Sequence, residues 1–307
     1  MPSSTGSRGT TEPLSRFQAW KVAARLHTLP AAIVPVLVGG GLAYGEGVFR
    51  GDAFGWALVG ALAIQIAANF ANDASDAKRG VDTEDRLGPP RMVALGVISP
   101  RRMWVATWIS IGVAAIAGIF LTLIAGWPVL LIGGCSVIAM LGYVGGPAPY
   151  GYRGLGEVFV FVFFGLVATV GSRYVHDGTT PLAIWMLAIP VGLLVTAILV
   201  VNNYRDIDTD ATTGKRTLAV RMGRARTRTF FACLVYGAFA AIAVSGTVGW
   251  VPTSSLIACF LVTYATVPIR IVYAKTDGPA LIRALKATAR LHLWVGVSLA
   301  AAVALVP

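Results

Sequence analysis

Residues 53–91 read AFGWALVGALAIQIAANFANDASDAKRGVDTEDRLGPPR. The stretch opens almost wholly apolar. Then, between Asn72 and Arg91, five acidic and four basic side chains crowd together. About 20 apolar residues in a helix rise roughly 30 Å, the thickness of a bilayer's hydrocarbon. The run therefore predicts a transmembrane helix that delivers a charged loop to one membrane surface. Why so oily a chain gathers carboxylates at that exit is a question the rest of the sequence has to answer.

The 307 residues are 56% hydrophobic and 13% charged, with a mean hydropathy of +0.73. Soluble domains carry about 25% charged residues, so this chain cannot coat a globule with ions and is expected to be all-α and polytopic in a membrane. Segments long and apolar enough to span lie near 28–45, 53–75, 103–125, 127–145, 155–172, 181–203, 228–249, 253–273 and 287–306, which predicts a bundle of nine transmembrane helices. Residues 1–20 are expected to be a flexible polar leader, polar throughout 1–14, and 21–307 a single transmembrane domain. No apolar h-region follows the polar start, so no cleaved signal peptide is expected.

Charge sets the orientation. With a cytoplasmic N-terminus, 23 of the 25 Lys and Arg fall in cytoplasmic segments, leaving Arg50 and Arg173 on the far side. Lys/Arg bias in short loops fixes topology, so the N-terminus is expected inside and the C-terminus outside. A basic face beside anionic lipid also accounts for the net charge of +11 without nucleic acid. Cys135, Cys233 and Cys259 fall inside spans without metal-ligand spacing, and are expected to pack as buried thiols. His27, His176 and His292 are scattered and suggest no metal site.

Eight of the fourteen acidic residues occupy two places: Asp73, Asp76, Asp82, Glu84 and Asp85 after the second span, and Asp206, Asp208 and Asp210 after the sixth. Each follows asparagines, Asn69 and Asn72 in one case, Asn202 and Asn203 in the other. Residues three, four and seven apart share a helix face. Asn69, Asp73 and Asp76 should thus line one stripe, with Asn72 beside them, and Asn203, Asp206 and Asp210 another, while Asp208 points elsewhere. Carboxylates near lipid cost several kcal/mol each unless compensated. Oxygen-only donor sets suit Mg²⁺ held by carboxylates plus substrate phosphates, and Lys78, Arg79, Arg91, Lys215 and Arg216 would meet a polyanion. A metal-bridged diphosphate is the expected guest.

At these residues the chain resembles the UbiA superfamily of intramembrane prenyltransferases. Asn72-Asp73-Ala74-Ser75-Asp76 matches the start of its N-D-x-x-D-x-x-x-D motif. Gly80 replaces the last Asp, a pattern similar to the branch that acts on 1,4-dihydroxy-2-naphthoate, where Asp82 would follow. Asp85-Arg86-Leu87-Gly88-Pro89-Pro90-Arg91, Asn202 through Asp210, Gly214-Lys215-Arg216-Thr217-Leu218 and Tyr143 through Glu157 continue the likeness.

The resemblance implies helices around a central cavity with cytoplasmic cap loops, in the inner membrane of a bacterium. It implies Mg²⁺-dependent transfer of an all-trans polyprenyl group from its diphosphate to the naphthoate, with decarboxylation, on the way to menaquinone. On that reading Asp73 and Asp76 hold one Mg²⁺ and Asp206 and Asp210 another, with Asn72 assisting. Lys78, Arg91, Lys215 and Asn203 meet the diphosphate. Tyr143, Tyr150, Arg153 and Glu157 are the candidate acceptor contacts, and the loops at 77–102 and 204–227 form a lid. Another aromatic acceptor, such as 4-hydroxybenzoate, is the alternative within the superfamily. An ion-coupled transporter is the alternative outside it, and predicts carboxylates at mid-membrane instead of helix ends. Prenyl chain length and oligomeric state are not encoded in any pattern found.

Overall fold

Backbone amides and carbonyls in hydrocarbon have no water to bond, so each apolar stretch must close its hydrogen bonds within a helix. The computed structural model describes residues 15–80, 90–145 and 149–305, and these contain helices and no strand. A short α1 (Arg16–Ala24) starts at a capping box in which Ser15 and Gln18 satisfy each other's backbone amides. Its helical turns therefore begin within the leader expected to be flexible. Arg25, in the left-handed region at φ 50°, ends that helix, and the segment Arg16–Thr28 meets α2 (Pro30–Gly45) at a bend of 50°.

The remaining elements are α3 (Gly51–Lys78), α4 (Pro100–Ala125), α5 (Pro128–Val144), α6 (Gly156–Asp177), α7 (Leu182–Arg205), the short α8 (Ile207–Thr212), α9 (Leu218–Val248), α10 (Thr253–Ala274) and α11 (Gly278–Leu305). Each expected span coincides with a helix. Among the described residues, however, only seven helices are long and apolar enough to cross a membrane, or eight with the bent Arg16–Gly45 pair counted as one. The ninth segment, the apolar run from Pro128 to Tyr143, is shorter.

Burial separates the roles of the helices. In the most apolar window of α7, 67% of residues are buried, against 17% for α4. The first is the axis of the bundle and the second turns Trp108, Ile116 and Leu123 outward, as a lipid-facing helix must. The main core joins α2, α7, α9, α10 and α11 through side chains such as Val34, Leu194, Phe231 and Leu291. Small residues let backbones approach where lipid supplies no hydrophobic drive between helices. A Cβ on Gly39 would lie 2.7 Å from the backbone nitrogen of Arg173, and one on Gly41 2.5 Å from the Ala300 carbonyl. The Gly39–Gly41 run is thus packed inside this chain, against α6 and α11.

The thiols depart from expectation. Cys135 and Cys233 are exposed on the bundle's outer surface and Cys259 is half-buried. A thiol is small and apolar enough to face lipid as readily as core, so residence in a span did not dictate burial. At the end opposite the acidic motifs, buried Arg173 pairs with Glu46 and Asp177, and the Arg50 amide donates to His176 Nδ1. The two cations expected apart from all others do meet at one end of the molecule.

Candidate active site

On α3 the polar side chains lining the cavity are Gln65, Asn69, Asn72 and Asp76, spaced four, three and four residues apart on one helical face. Gln65 Nε2 and Asn69 Nδ2 both donate to the Thr28 hydroxyl at 3.0 Å, and Asn69 also donates to the Ala24 carbonyl at 2.9 Å. These bonds fasten α3 to the bend between α1 and α2. Asp76, two turns beyond Asn69, accepts from Arg91 Nη2 at 2.7 Å and from the Tyr152 hydroxyl at 2.5 Å.

Asp73 behaves otherwise. Its carboxylate accepts the amides of Met92 and Val93, each at 3.1 Å, and does not line the cavity. The expected stripe through Asn69, Asp73 and Asp76 is therefore corrected to one through Gln65, Asn69, Asn72 and Asp76. Asp73 lies one residue past Asn72, a 100° step round the helix, and faces the loop. Its grip on residues 92 and 93 fixes the neighbouring Arg91.

The second motif does not run on as one helix. α7 stops at Arg205, and Asp206 sits at the junction with φ −94° and ψ 9° before α8 begins. Both Asp206 oxygens are engaged by the Arg205 guanidinium, at 2.7 and 2.6 Å, and Arg205 also donates to Asn202 Oδ1 at 3.0 Å. Asp210 lies 3.6 Å from Lys215 Nζ. Asp208 points away and pairs with Arg224. Tyr152 joins the two motifs: its hydroxyl bonds Asp76, its ring lies 5.0 Å from Lys215 Nζ and 5.4 Å from the Arg79 guanidinium, and its carbonyl accepts the Arg216 amide.

These groups close one end of a cavity of about 360 Å³. Asn72, Asp76, Arg91, Asn203, Arg205 and Lys215 form its polar end, and the rest of the wall is mostly apolar, reaching Leu121 and Val175. Along one side runs a ladder of rings. Tyr143 meets Tyr150 edge-on at 5.5 Å, Tyr150 stacks on Phe159 at 3.8 Å, and Phe159 faces Phe163 at 6.0 Å. A π-helical stretch, Phe161–Val167, re-registers α6 beside the cavity, a distortion common at functional sites. The Tyr150 hydroxyl donates to the Ala139 carbonyl, and burial pushes it above the ordinary tyrosine range, so it stays neutral.

Of the residues expected at the site, the cavity wall thus holds Asn72, Asp76, Arg91, Asn203, Lys215, Tyr143 and Tyr150. Glu157 stands behind Asn203, accepting its Nδ2 at 2.9 Å. Lys78 and Arg153 do not join them: both are exposed and neither lines the cavity. Lys78 is two residues past Asp76, on the opposite side of α3. Arg153 ends a single 3₁₀ turn, Tyr150–Arg153, before Gly154 reverses the chain. Among the described residues no three Asp, Glu, His or Cys side chains form one ligand group. Asp82, Glu84 and Asp85 lie outside the described residues, as do Gly146 and Pro147.

Sequence reasoning passed over Arg25, His27, Thr28, Gln65 and Arg205, all of which line the cavity. Gln65 was within reach as a lone amide in an apolar run, in helical phase with Asn69 and Asn72. The bend that brings Arg25 and His27 inward has no comparable signal.

The donors at the polar end are oxygen atoms: the Asp76 carboxylate and the amides of Asn72 and Asn203, with Asp210 one lysine away. Such a set fits a hard cation held by one or two carboxylates and completed by phosphate and water, but not a closed protein cage. Arg91 and Lys215, which pair with these carboxylates, and Arg205, which pairs with Asp206, are the groups a polyanion would meet.

Residues 32–304 match the UbiA prenyltransferase family. A 1,4-dihydroxy-2-naphthoate octaprenyltransferase of Escherichia coli (strain K12) is 39% identical over 76% of this chain and 78% of its own length. One of Mycobacterium tuberculosis (strain ATCC 25618 / H37Rv) is 40% identical over 71% of this chain and 74% of its own. Among solved structures, a UbiA homolog from Archaeoglobus fulgidus bound to GPP and Mg²⁺ superposes with a TM-score of 0.66 at 14% identity, covering 92% of this chain and 99% of that one. The likeness is one of fold: helices enclosing a central cavity.

Proposed function

This chain belongs to the UbiA prenyltransferase family, and from that premise we propose that it transfers a polyprenyl group from polyprenyl diphosphate to 1,4-dihydroxy-2-naphthoate, with loss of the ring carboxylate as CO₂. The observation that carries this reading is the cavity itself. A charged end holding Asp76, Arg91 and Lys215 opens into an aromatic and aliphatic wall, which suits a molecule with a diphosphate head and a long hydrocarbon tail. Relatives named for this reaction share 39% and 40% identity with the chain.

Mg²⁺ fits the oxygen donors, with Asp76 on the cavity wall and Asp210 beside the wall residue Lys215 as the carboxylates, and Asn72 and Asn203 on the wall with them. Asp73 and Asp206, expected as further ligands, would have to leave the Met92 and Val93 amides and the Arg205 guanidinium to serve. The metal supplies charge neutralisation on the leaving diphosphate. Arg91 and Lys215 contact the diphosphate oxygens, with Arg205 at the same end, and stabilise the charge that builds as the C1–O bond breaks. The electron pair of that bond leaves with the diphosphate, and C1 takes on allylic cation character. The rings of Tyr143, Tyr150 and Phe159 line its path and offer π faces to the cation, while the apolar wall keeps water from trapping it.

The ring carbon bearing the carboxylate attacks C1. Loss of CO₂ returns the pair of electrons of that bond to the ring. The product is a prenylated naphthalenediol, the reduced form of demethylmenaquinone. Gly80, Gly96 and Gly214, at φ +65°, +70° and +76°, provide the turns about which the flanking loops would cover the site. In the cell the polar end faces the cytoplasm, with the N-terminus inside and the C-terminus outside, in the inner membrane of a bacterium.

The test is an acceptor panel. Purified protein is incubated with Mg²⁺ and prenyl diphosphates of graded length, with the naphthoate or 4-hydroxybenzoate as acceptor, and products are read by mass. The expected product from the naphthoate has gained the prenyl group and lost CO₂. Prenylation of 4-hydroxybenzoate in preference to the naphthoate would move the chain to another branch of the family.

A further inference from the structure

Glu157 is buried, 4% exposed, and does not itself line the cavity. Its Oε1 accepts from Asn203 Nδ2 at 2.9 Å, and its Oε2 has no hydrogen-bond partner among the described residues. A buried carboxyl oxygen left unsatisfied carries its desolvation penalty uncompensated, so the residue destabilises the fold. What it gains is control of one amide. A carboxylate only accepts, so the amide it meets must present its nitrogen. The atom of Asn203 left to the cavity is then its carbonyl oxygen.

That polarity bears on chemistry. An amide oxygen repels phosphate oxygens and attracts a hard cation. The sequence allows Asn203 as a neutral ligand or orienter or as a diphosphate contact, and the hydrogen bond from its Nδ2 to Glu157 favours the first. We propose that Glu157 is a positioning residue that holds Asn203 with its carbonyl oxygen toward the cavity, making Asn203 a cation ligand instead of a diphosphate donor. The inference rests on the reading of the polar end as a divalent-cation and diphosphate site. It concerns which atom of Asn203 serves that site and which residue decides it.

The same logic separates Asn203 from its neighbour. Asn202 also lines the cavity, but its Oδ1 accepts from Arg205 at 3.0 Å, which leaves an N–H face to the opening. Adjacent amides at the end of α7 are thus set with opposite polarity by two buried charged partners, Glu157 for one and Arg205 for the other.

The test measures Mn²⁺ binding to the purified full-length protein by electron paramagnetic resonance, alongside the metal dependence of prenyl transfer. Wild type, E157A, E157Q, N203A and E157A/N203A are compared, each checked by thermal melting. Loss of a residue that orients a metal ligand typically weakens metal binding 10- to 100-fold. E157A is expected to weaken Mn²⁺ binding at least tenfold. E157Q, whose amide oxygen still accepts from Asn203, should recover most of it, and adding E157A to N203A should change it less than twofold. If E157A and N203A multiply in the double variant, or E157A binds Mn²⁺ as wild type does, the positioning role falls while the site reading stands. If wild type binds no Mn²⁺, both fall.

Discussion

Asp73 and Asp76 are three residues apart in one motif, yet the structure gives them different work, and substitutions should separate them. Asp73 is 1% exposed and accepts two backbone amides, from Met92 and Val93. Hydrogen bonds to a charged group contribute about 1.5–3 kcal/mol each, so the pair is worth about 3–6 kcal/mol gross. Removing a buried carboxylate also relieves its desolvation, which returns part of that sum. Asp73→Ala should therefore destabilise the protein by about 2–4 kcal/mol net of that relief. In a chain of this size such a loss lowers the melting temperature by about 5–10 °C, at a few degrees per kcal/mol. Asp73→Asn keeps one acceptor oxygen but turns an N–H₂ toward the other amide, so it should recover less than half of the loss.

Asp76→Asn is the contrasting variant. Its amide oxygen can still accept from Arg91 or Tyr152, but its N–H₂ then faces the other donor and Arg91 loses its buried charge partner. Melting should therefore fall here too, and the contrast between the two positions lies in prenyl transfer. Thermal unfolding in detergent, followed by tryptophan fluorescence, reads both. An Asp73→Ala protein that melts within 2 °C of wild type would refute the loop-anchoring role and return Asp73 to the metal site.

The other predictions concern catalysis and packing. Asp76→Asn and Lys215→Ala should each lower prenyl transfer by about 10²–10³-fold at saturating substrate, the scale seen when a group that stabilises transition-state charge is removed, as measured by product formation in membranes. Tyr150→Phe loses only its bond to the Ala139 carbonyl and should cost about 1 kcal/mol in stability with activity within threefold. Phe159→Ala breaks the ring ladder and should both destabilise and slow transfer, read by melting and initial rates. Gly41→Val forces a side chain into the Ala300 carbonyl and should cost about 1–3 kcal/mol or more, since α2 cannot move off α11 without disturbing the core.

Much of this was legible in the chain, and for physical reasons. Hydrocarbon thickness and backbone hydrogen bonding leave little freedom in what an apolar run can become, so the positions of the helices followed. The number of spans did not, because α2 reaches membrane length only together with α1 across a bend, and α5 stays shorter than the other spans. Helical phase placed Asn72 and Asp76 on one face but misjudged Asp73, whose direction is set by amides of a loop twenty residues on. The spacing of the second motif predicts a continuing helix, whereas the chain breaks at Asp206. Lys78 and Arg153 belong to the right segments but face outward, a distinction that only a register one or two residues finer could draw. Cysteine burial could not be inferred at all, since the lipid-facing and core-facing sides of a membrane helix are equally apolar.

The central claim is that the head of a prenyl diphosphate is held where the two acidic motifs meet. An experimental structure of the protein with Mg²⁺ and a non-reactive prenyl thiodiphosphate tests it most directly. The account predicts the diphosphate between Asp76 and Lys215, within contact of Arg91, and the tail beside Tyr150 and Phe159. A head group seated instead by Arg173 and His176, or on the outer surface of α4, would contradict it.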